Sequence, residues 1–341
     1  MMFGNNLKYF RLERGLSKKE LAKKAGLSAA LLTYYENGSR QPGVGSLNAL
    51  AKALSISPAL LLENGPSLSF SHGAFRKNSS LSKTNQEYIR SFVEDYFGRF
   101  YATLSFFPSN VLPPIPLSQG ERFPLPKNAS DAAKELRKAL GLGAQGAIPA
   151  LADYLEKRGF LLCPVTSHPG FDGLNGYVSG RPYIAFNQDV NPERIRSTLV
   201  HELVHLYFGL GEQDEEQVNQ IAGEVLFPKE DAVNELGLRC YEVNEWMANV
   251  AKEYGISMYS MVYNGCRYGI FSSSLAKSFY VWANKKGWRK EEPSRCGEES
   301  THLLERLVYR AVGEDEITIQ RAAELLRISF EQVEANVRSL V

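Results

Sequence analysis

Two histidines four residues apart, His201 and His205 in the run His201-Glu202-Leu203-Val204-His205, form the most chemically pointed pattern in this sequence. On a helix, that spacing turns both imidazoles to one side, where they can grip a single metal ion in the HExxH arrangement of zinc hydrolases. The carboxylate of Glu202 between them would sit beside the ion, placed to take a proton from a water whose pKa zinc lowers to about 7. Two histidines on an amphipathic helix can also be chemically silent, so the flanking residues have to decide. Asn191-Pro192-Glu193 reads as an N-cap, an N1 proline and a first-turn acid, and Gly209 with Gly211 closes the segment, so a helix of about four turns is expected. Ile195, Leu199, Leu203 and Leu206 give that helix an apolar stripe.

A catalytic zinc takes three protein ligands and leaves one position for water. The next helical pattern, Glu212 to Leu226, repeats apolar residues at Val218, Ile221, Ala222, Val225 and Leu226. Projected one turn backwards, that face reaches Glu215, with Glu212 and Glu216 as alternatives. Asn219, four residues after Glu215, is expected to orient its carboxylate.

These residues carry a resemblance. Tyr183 to Asn187, Arg196 to His205, and Glu215 through Asn219-Gln220-Ile221-Ala222 to Leu226-Phe227-Pro228 resemble the core of the ImmA/IrrE metallopeptidases. Asp131 to Arg137 and Leu155 to Phe160 resemble that family's leading helices. Val218 and Ile221 depart from it, standing where members carry a small residue and a phenylalanine. The resemblance implies a zincin-like α+β domain over residues 129–275 and zinc-dependent endopeptidase activity, with Glu202 as base and a repressor or antitoxin protein as substrate. The alternative is a transcription regulator whose zinc domain senses a ligand or partner and cuts nothing.

The amino terminus reads as five short helices between Asn6 and Leu62. Ser17-Lys18-Lys19-Glu20 is a capping box, Gly26 makes a turn and Ser28 caps the following helix, which is the spacing of a helix-turn-helix. With Tyr35-Glu36-Asn37-Gly38 and Leu50 to Ile56, this stretch resembles the Cro/repressor-like (XRE) domain. The resemblance implies binding of double-stranded DNA by residues 1–65. Ser28, Ala29, Ala30 and Thr33 would approach base edges, and Lys18, Tyr34, Asn37 and Arg40 would hold phosphates. Residues 1–65 hold nine Lys or Arg against four Glu, a balance of plus five in a chain of net charge +1. Charge gathered in this way is what phosphate neutralisation needs. Two alanines at the reading face offer few hydrogen bonds, so dimerisation on two half-sites is one route to specificity.

The expected fold class is multidomain and mainly α. The XRE-type domain (1–65) is followed by a linker, helix and proline-rich connection (66–128), the metallopeptidase domain (129–275) and a helical carboxy-terminal region (276–341). Gln86 to Phe97 shows helical spacing, and six prolines between Phe107 and Pro126 exclude helix and central strand. Strands are expected near Phe160–Pro164 and Asn175–Asn187, where an extended peptide could add to an edge beside the metal. Tyr183, Tyr207 and His168 are possible oxyanion donors. Near the end, Arg321 to Leu326 followed by Ser329-Phe330-Glu331-Gln332 looks like a second small helix-turn-helix; without a basic patch it reads as a packing hairpin. Lys285, Lys286, Arg289 and Lys290 read as a solvated loop. The start of the chain lacks a signal-peptide layout, and four dispersed cysteines without a CxxC pair fit free thiols, so a cytoplasmic location is expected.

Overall fold

The computed structural model describes residues 2–73, 81–166, 170–289 and 292–339. His168 and Lys290 lie outside them. In chain order the elements are α1 (Met2–Glu13), α2 (Lys18–Ala25), α3 (Ala29–Glu36), α4 (Val44–Leu54), α5 (Pro58–Leu62), β1 (Phe70–His72) and α6 (Lys83–Leu104). Then come α7 (Ala129–Ala139), α8 (Leu151–Lys157), β2 (Leu161–Val165), β3 (Gly173–Val178), β4 (Arg181–Asn187) and α9 (Pro192–Phe208). A 3-10 turn, Glu212–Asp214, leads into α10 (Glu215–Leu226), α11 (Lys229–Leu236), α12 (Met247–Tyr254), α13 (Met258–Arg267) and α14 (Ser273–Lys285). The last helices are α15 (Leu303–Gly313), α16 (Ile319–Leu326) and α17 (Phe330–Ser339). The protein is mainly α and multidomain, as its sequence pattern predicts.

Described residues up to Phe70, from Leu81 to Val111 and from His302 onward form one compact unit; those from Ser71 to Gly73 and from Leu112 to Thr301 form the other. In the first, local chemistry sets the helix ends. The amide of Ser17 donates to Glu20 Oε2 (2.7 Å) and the amide of Glu20 to Ser17 Oγ (3.2 Å), opening α2; Gly26, at φ 66°, closes it. Leu7, Leu21, Leu32, Leu50, Leu54 and Leu61 meet in a dry core. Helix α6 is more than a connection. Tyr88 and Phe92 on it pack against that core, while its buried Arg99 donates to Asp95 (2.9 Å) and to the carbonyl of Leu325 in α16 (2.6 Å). The carboxy-terminal hairpin therefore packs on α6.

In the second unit a four-stranded sheet runs in the order β1-β3-β4-β2. Strand β3 is antiparallel to β4, with Gly173 opposite Phe186, and β2 is parallel to β4, with Leu161 opposite Tyr183. Strand β1 arises inside the stretch expected as linker; at three residues it is too short to show an alternating pattern. Helix α9 packs on β3 and β4, and α10 bridges α9 and α7. Two buried arginines brace this stack. Arg137 on α7 donates to the carbonyls of Gly143, Gln145, Gly146 and Val225. Arg196 on α9 pairs with Glu299, whose carboxylate also accepts the amides of Leu151 (3.0 Å) and Ala152 (2.8 Å) at the start of α8. Burial of both charges is tolerable because each is hydrogen-bonded. Among the described residues no helix is long and apolar enough to cross a membrane.

Candidate metal centre

Helix α9 begins with Pro192 after Asn191 and ends at Gly209, at φ 66°. All four residues of the expected apolar stripe are buried, and so are the first two residues of the five-residue motif: His201 is 2% exposed and Glu202 6%. The ring nitrogens His201 Nε2 and His205 Nε2 lie 3.0 Å apart. Glu215 starts α10 with its carboxylate oxygens 3.5 Å from His201 Nε2 and 3.6 Å from His205 Nε2. One ligand atom from each of the three falls within 4.8 Å of the others. Among the described residues, Glu212 and Glu216 do not join this group; Glu216 accepts from Gln220 instead (3.2 Å).

The opposite ring nitrogens are occupied. His201 Nδ1 meets Asn219 Oδ1 at 3.1 Å, and His205 Nδ1 meets the carbonyl of Leu210 at 2.9 Å, just past the glycine that reverses the chain. With Nδ1 donating in each ring, both Nε2 atoms present lone pairs to the same point. Zinc–ligand bonds of 2.0–2.1 Å in a tetrahedron would separate donors by about 3.3 Å, so the two nitrogens and the carboxylate fit a divalent cation. Asn219, expected beside the Glu215 carboxylate, turns its amide oxygen to His201, because α10 lies beside α9.

Glu202 is held from the sheet. Asn175 Nδ2 on β3 donates to Glu202 Oε2 at 2.7 Å. A Cβ added to Gly173 on the same strand would lie 2.8 Å from Glu202 Oε1 and 2.6 Å from the methyl group of Thr198, so the glycine makes room for the carboxylate. Asn175, Gly173 and the Leu210 carbonyl were missed by sequence reasoning; glycines within a strand are the one signal of close approach it offered. Of the expected oxyanion donors, Tyr183 is fully buried with its hydroxyl 2.6 Å from His72 Nδ1. Tyr207 packs between Phe123 (5.1 Å between ring centres) and Phe160 (6.3 Å), and burial pushes its hydroxyl up to about 12.

Residues 165–264 match the family model described as the IrrE N-terminal-like domain, and residues 7–61 the one described as helix-turn-helix. The chain carries both domains. No curated protein matches it. Among solved structures, Bacillus thuringiensis PlcR in complex with the peptide PapR7 and DNA aligns over 100% of this chain and 99% of its own at 12% identity. Its TM-score of 0.17 carries no argument about fold.

In the helix-turn-helix domain, Ser28, Ala30, Thr33, Tyr34, Asn37 and Arg40 are exposed, and Ala29 is half-buried against the core. Several polar groups there already have partners. Ser28 Oγ caps α3 by accepting the amide of Leu31 (3.2 Å), Thr33 Oγ1 donates to the carbonyl of Ala29 (3.2 Å), and Asn37 Oδ1 accepts from the amide of Ser39 (3.0 Å). Lys18 lies 3.4 Å from Glu36, which is also gripped by buried Arg11.

Proposed function

We propose that the protein is a DNA-binding regulator whose IrrE-like domain is a zinc-dependent endopeptidase acting on one protein partner. The observation that carries this reading is the convergence of His201 Nε2, His205 Nε2 and the Glu215 carboxylate, with both Nδ1 atoms committed elsewhere. Zinc, when bound by these three, supplies a Lewis acid and brings water into the range of neutral pH. Glu202 accepts the proton of the attacking water on its carboxylate and delivers it to the nitrogen of the departing amine. Asn175 holds one oxygen of that carboxylate, and Gly173 leaves room for the other. An extended polypeptide laid along the sheet beside Glu202 would present its backbone amides in turn.

The DNA-binding half rests on the basic balance of residues 1–65 and on the exposure of one face of α3. Because Ser28 and Thr33 spend hydrogen-bonding capacity on their own helix, few groups remain to read bases from one half-site. A homodimer on two half-sites supplies the missing discrimination. The partner consistent with the resemblance is a repressor or antitoxin, cut at few bonds so that a peptidase free in the cell does no general damage.

Elemental analysis tests the ligand set: about one zinc per wild-type chain, and none at this site in the His201→Ala/His205→Ala variant. Co-expression of wild-type and Glu202→Gln chains with neighbouring gene products, followed by mass spectrometry of new termini, tests the activity. Zinc binding without any Glu202-dependent cleavage would leave the non-proteolytic sensor in its place.

A further inference from the structure

The edge of the sheet nearest Glu202 is already taken. Strand β3, from which Asn175 reaches Glu202, has β4 on one side and β1 on the other, so its outer edge is covered by residues of this chain that precede α6. Three features show a specific fit. The amide of Gly73 donates to the carbonyl of Asn175 at 2.8 Å. A Cβ on Gly73 would stand 2.8 Å from Asn175 Oδ1 and 3.0 Å from its carbonyl oxygen, so a larger residue would have to displace the Asn175 side chain. A Cβ on Gly176 would run into the carbonyl oxygen of Ser71 and come within 2.7 Å of the Tyr183 hydroxyl, the group that holds His72 Nδ1 at 2.6 Å.

We propose that Ser71–Gly73 is a built-in competitor for the polypeptide substrate. It occupies the β3 edge on which an extended substrate would pair, and it must leave before a substrate can lie beside Glu202. This rests on the peptidase reading above. An edge strand offers unpaired amides and carbonyls to any extended chain, so own segment and substrate compete for the same hydrogen bonds. The competitor is short: its three residues, with His72 tied to Tyr183, fall below the five or six typical of a settled strand, which makes it displaceable. Asn175 joins the two events: its carbonyl receives the strap and its side chain holds the base.

The test uses the full-length zinc-loaded chain, β-casein as an unstructured probe, and two variants. Gly73→Val drives a branched side chain into Asn175; His72→Ala removes the tie to Tyr183 without touching Asn175. Both are expected to speed amide hydrogen exchange at 71–73 with β3–β4 unchanged, and to raise Glu202-dependent casein cleavage roughly tenfold over a slow wild type, as a rise in the competent fraction requires. Faster exchange in His72→Ala with cleavage held at the wild-type rate overturns the proposal while leaving the peptidase reading intact. Should neither wild type nor variant cleave casein in a Glu202-dependent way, the peptidase reading is left to its cognate partner, and a labelled synthetic peptide of residues 66–73 decides the docking separately. Binding to His72→Ala but not to wild type supports competition at the edge; equal binding, or none, overturns it.

Discussion

Helices α9 and α3 carry the two sets of candidate functional residues and hold them in opposite ways. On α9 all but four of the seventeen residues are buried, and each chemically active atom is fixed by a group from another element: Asn219 on α10, Asn175 on β3, the carbonyl of Leu210. On α3 only Leu32 and Tyr35 are buried, and the candidate contact residues stand in solvent or bond within their own turn. The candidate metal centre is thus built by tertiary packing, where removing one partner leaves a buried polar group stranded. The candidate recognition surface is built by local capping and by charge, where each residue adds a small, screened increment.

If that contrast holds, Glu202→Gln gives the largest effect of any single substitution. Glutamine keeps the size and the contact with Asn175 but cannot take up a proton, so zinc content stays and cleavage falls by about 100-fold or more. Single-turnover assays on a cognate partner measure it, and undiminished cleavage would remove Glu202 from its role. Next is Asn219→Leu, which strips His201 Nδ1 of its acceptor without touching either Nε2. Outer partners of metal-binding histidines are worth about 10- to 100-fold in metal affinity, readable by competition with a chromogenic chelator. A loss that small in Glu216→Gln as well would show that proximity alone, and not orientation of His201, sets the affinity.

On the exposed side the expected effects are smaller and graded. Arg40→Ala should weaken binding to all duplexes alike and lower the salt dependence by about one in log–log slope, the signature of one lost phosphate contact. Lys18→Ala should do less, since the ammonium is already 3.4 Å from Glu36. A larger loss for Lys18 would mean that DNA pulls it from that pair. The carboxy-terminal hairpin sharpens the same point. It repeats the device of a capped helix, a left-handed turn (Arg327, φ 58°) and a second serine cap, yet Arg321 and Arg327 are spent on Glu63, Glu324 and Asp95. The capped helical hairpin is present there with Arg321 and Arg327 committed to carboxylates.

What the sequence made legible divides along the same line. Helix ends in the first 62 residues, the extent of α9 and the three candidate ligands are visible because capping boxes, glycine stops and apolar periodicity act over a few residues. The partners of those ligands are not. Asn175 lies 27 residues before Glu202, and nothing local distinguishes it from any strand asparagine. Asn219 sits on the same face as Glu215, and periodicity alone pairs the two; the helix-to-helix approach that turns its amide to His201 exists only after folding. Strand β1 falls within a linker-like stretch because a three-residue edge strand carries no pattern, and the role of α6 as a shared brace depends on residues more than 200 positions further on.

The smallest effect expected concerns two carboxylates whose settings differ as the helices do. Glu224 on α10 is buried, and desolvation holds its acid above the ordinary carboxylate value despite the amide of Lys229 donating to it at 3.3 Å. A raised acid penalises the folded state once the solution is alkaline enough to ionise it, and the penalty fades as pH falls below the folded value. Glu224→Gln, which keeps the acceptor and drops the charge, should therefore raise the melting temperature at pH 8 and leave it nearly unchanged at pH 4. Glu20 is the reverse case: the Ser17 side chain and backbone hold its acid below the ordinary value, so its contribution is present above that value and is lost as pH falls through the folded one. Glu20→Gln should lower stability slightly at pH 8 and not at pH 3. Melting curves of both variants across that range check the pair, and shifts of the same sign would show that burial and capping do not act on these two carboxylates in opposite senses.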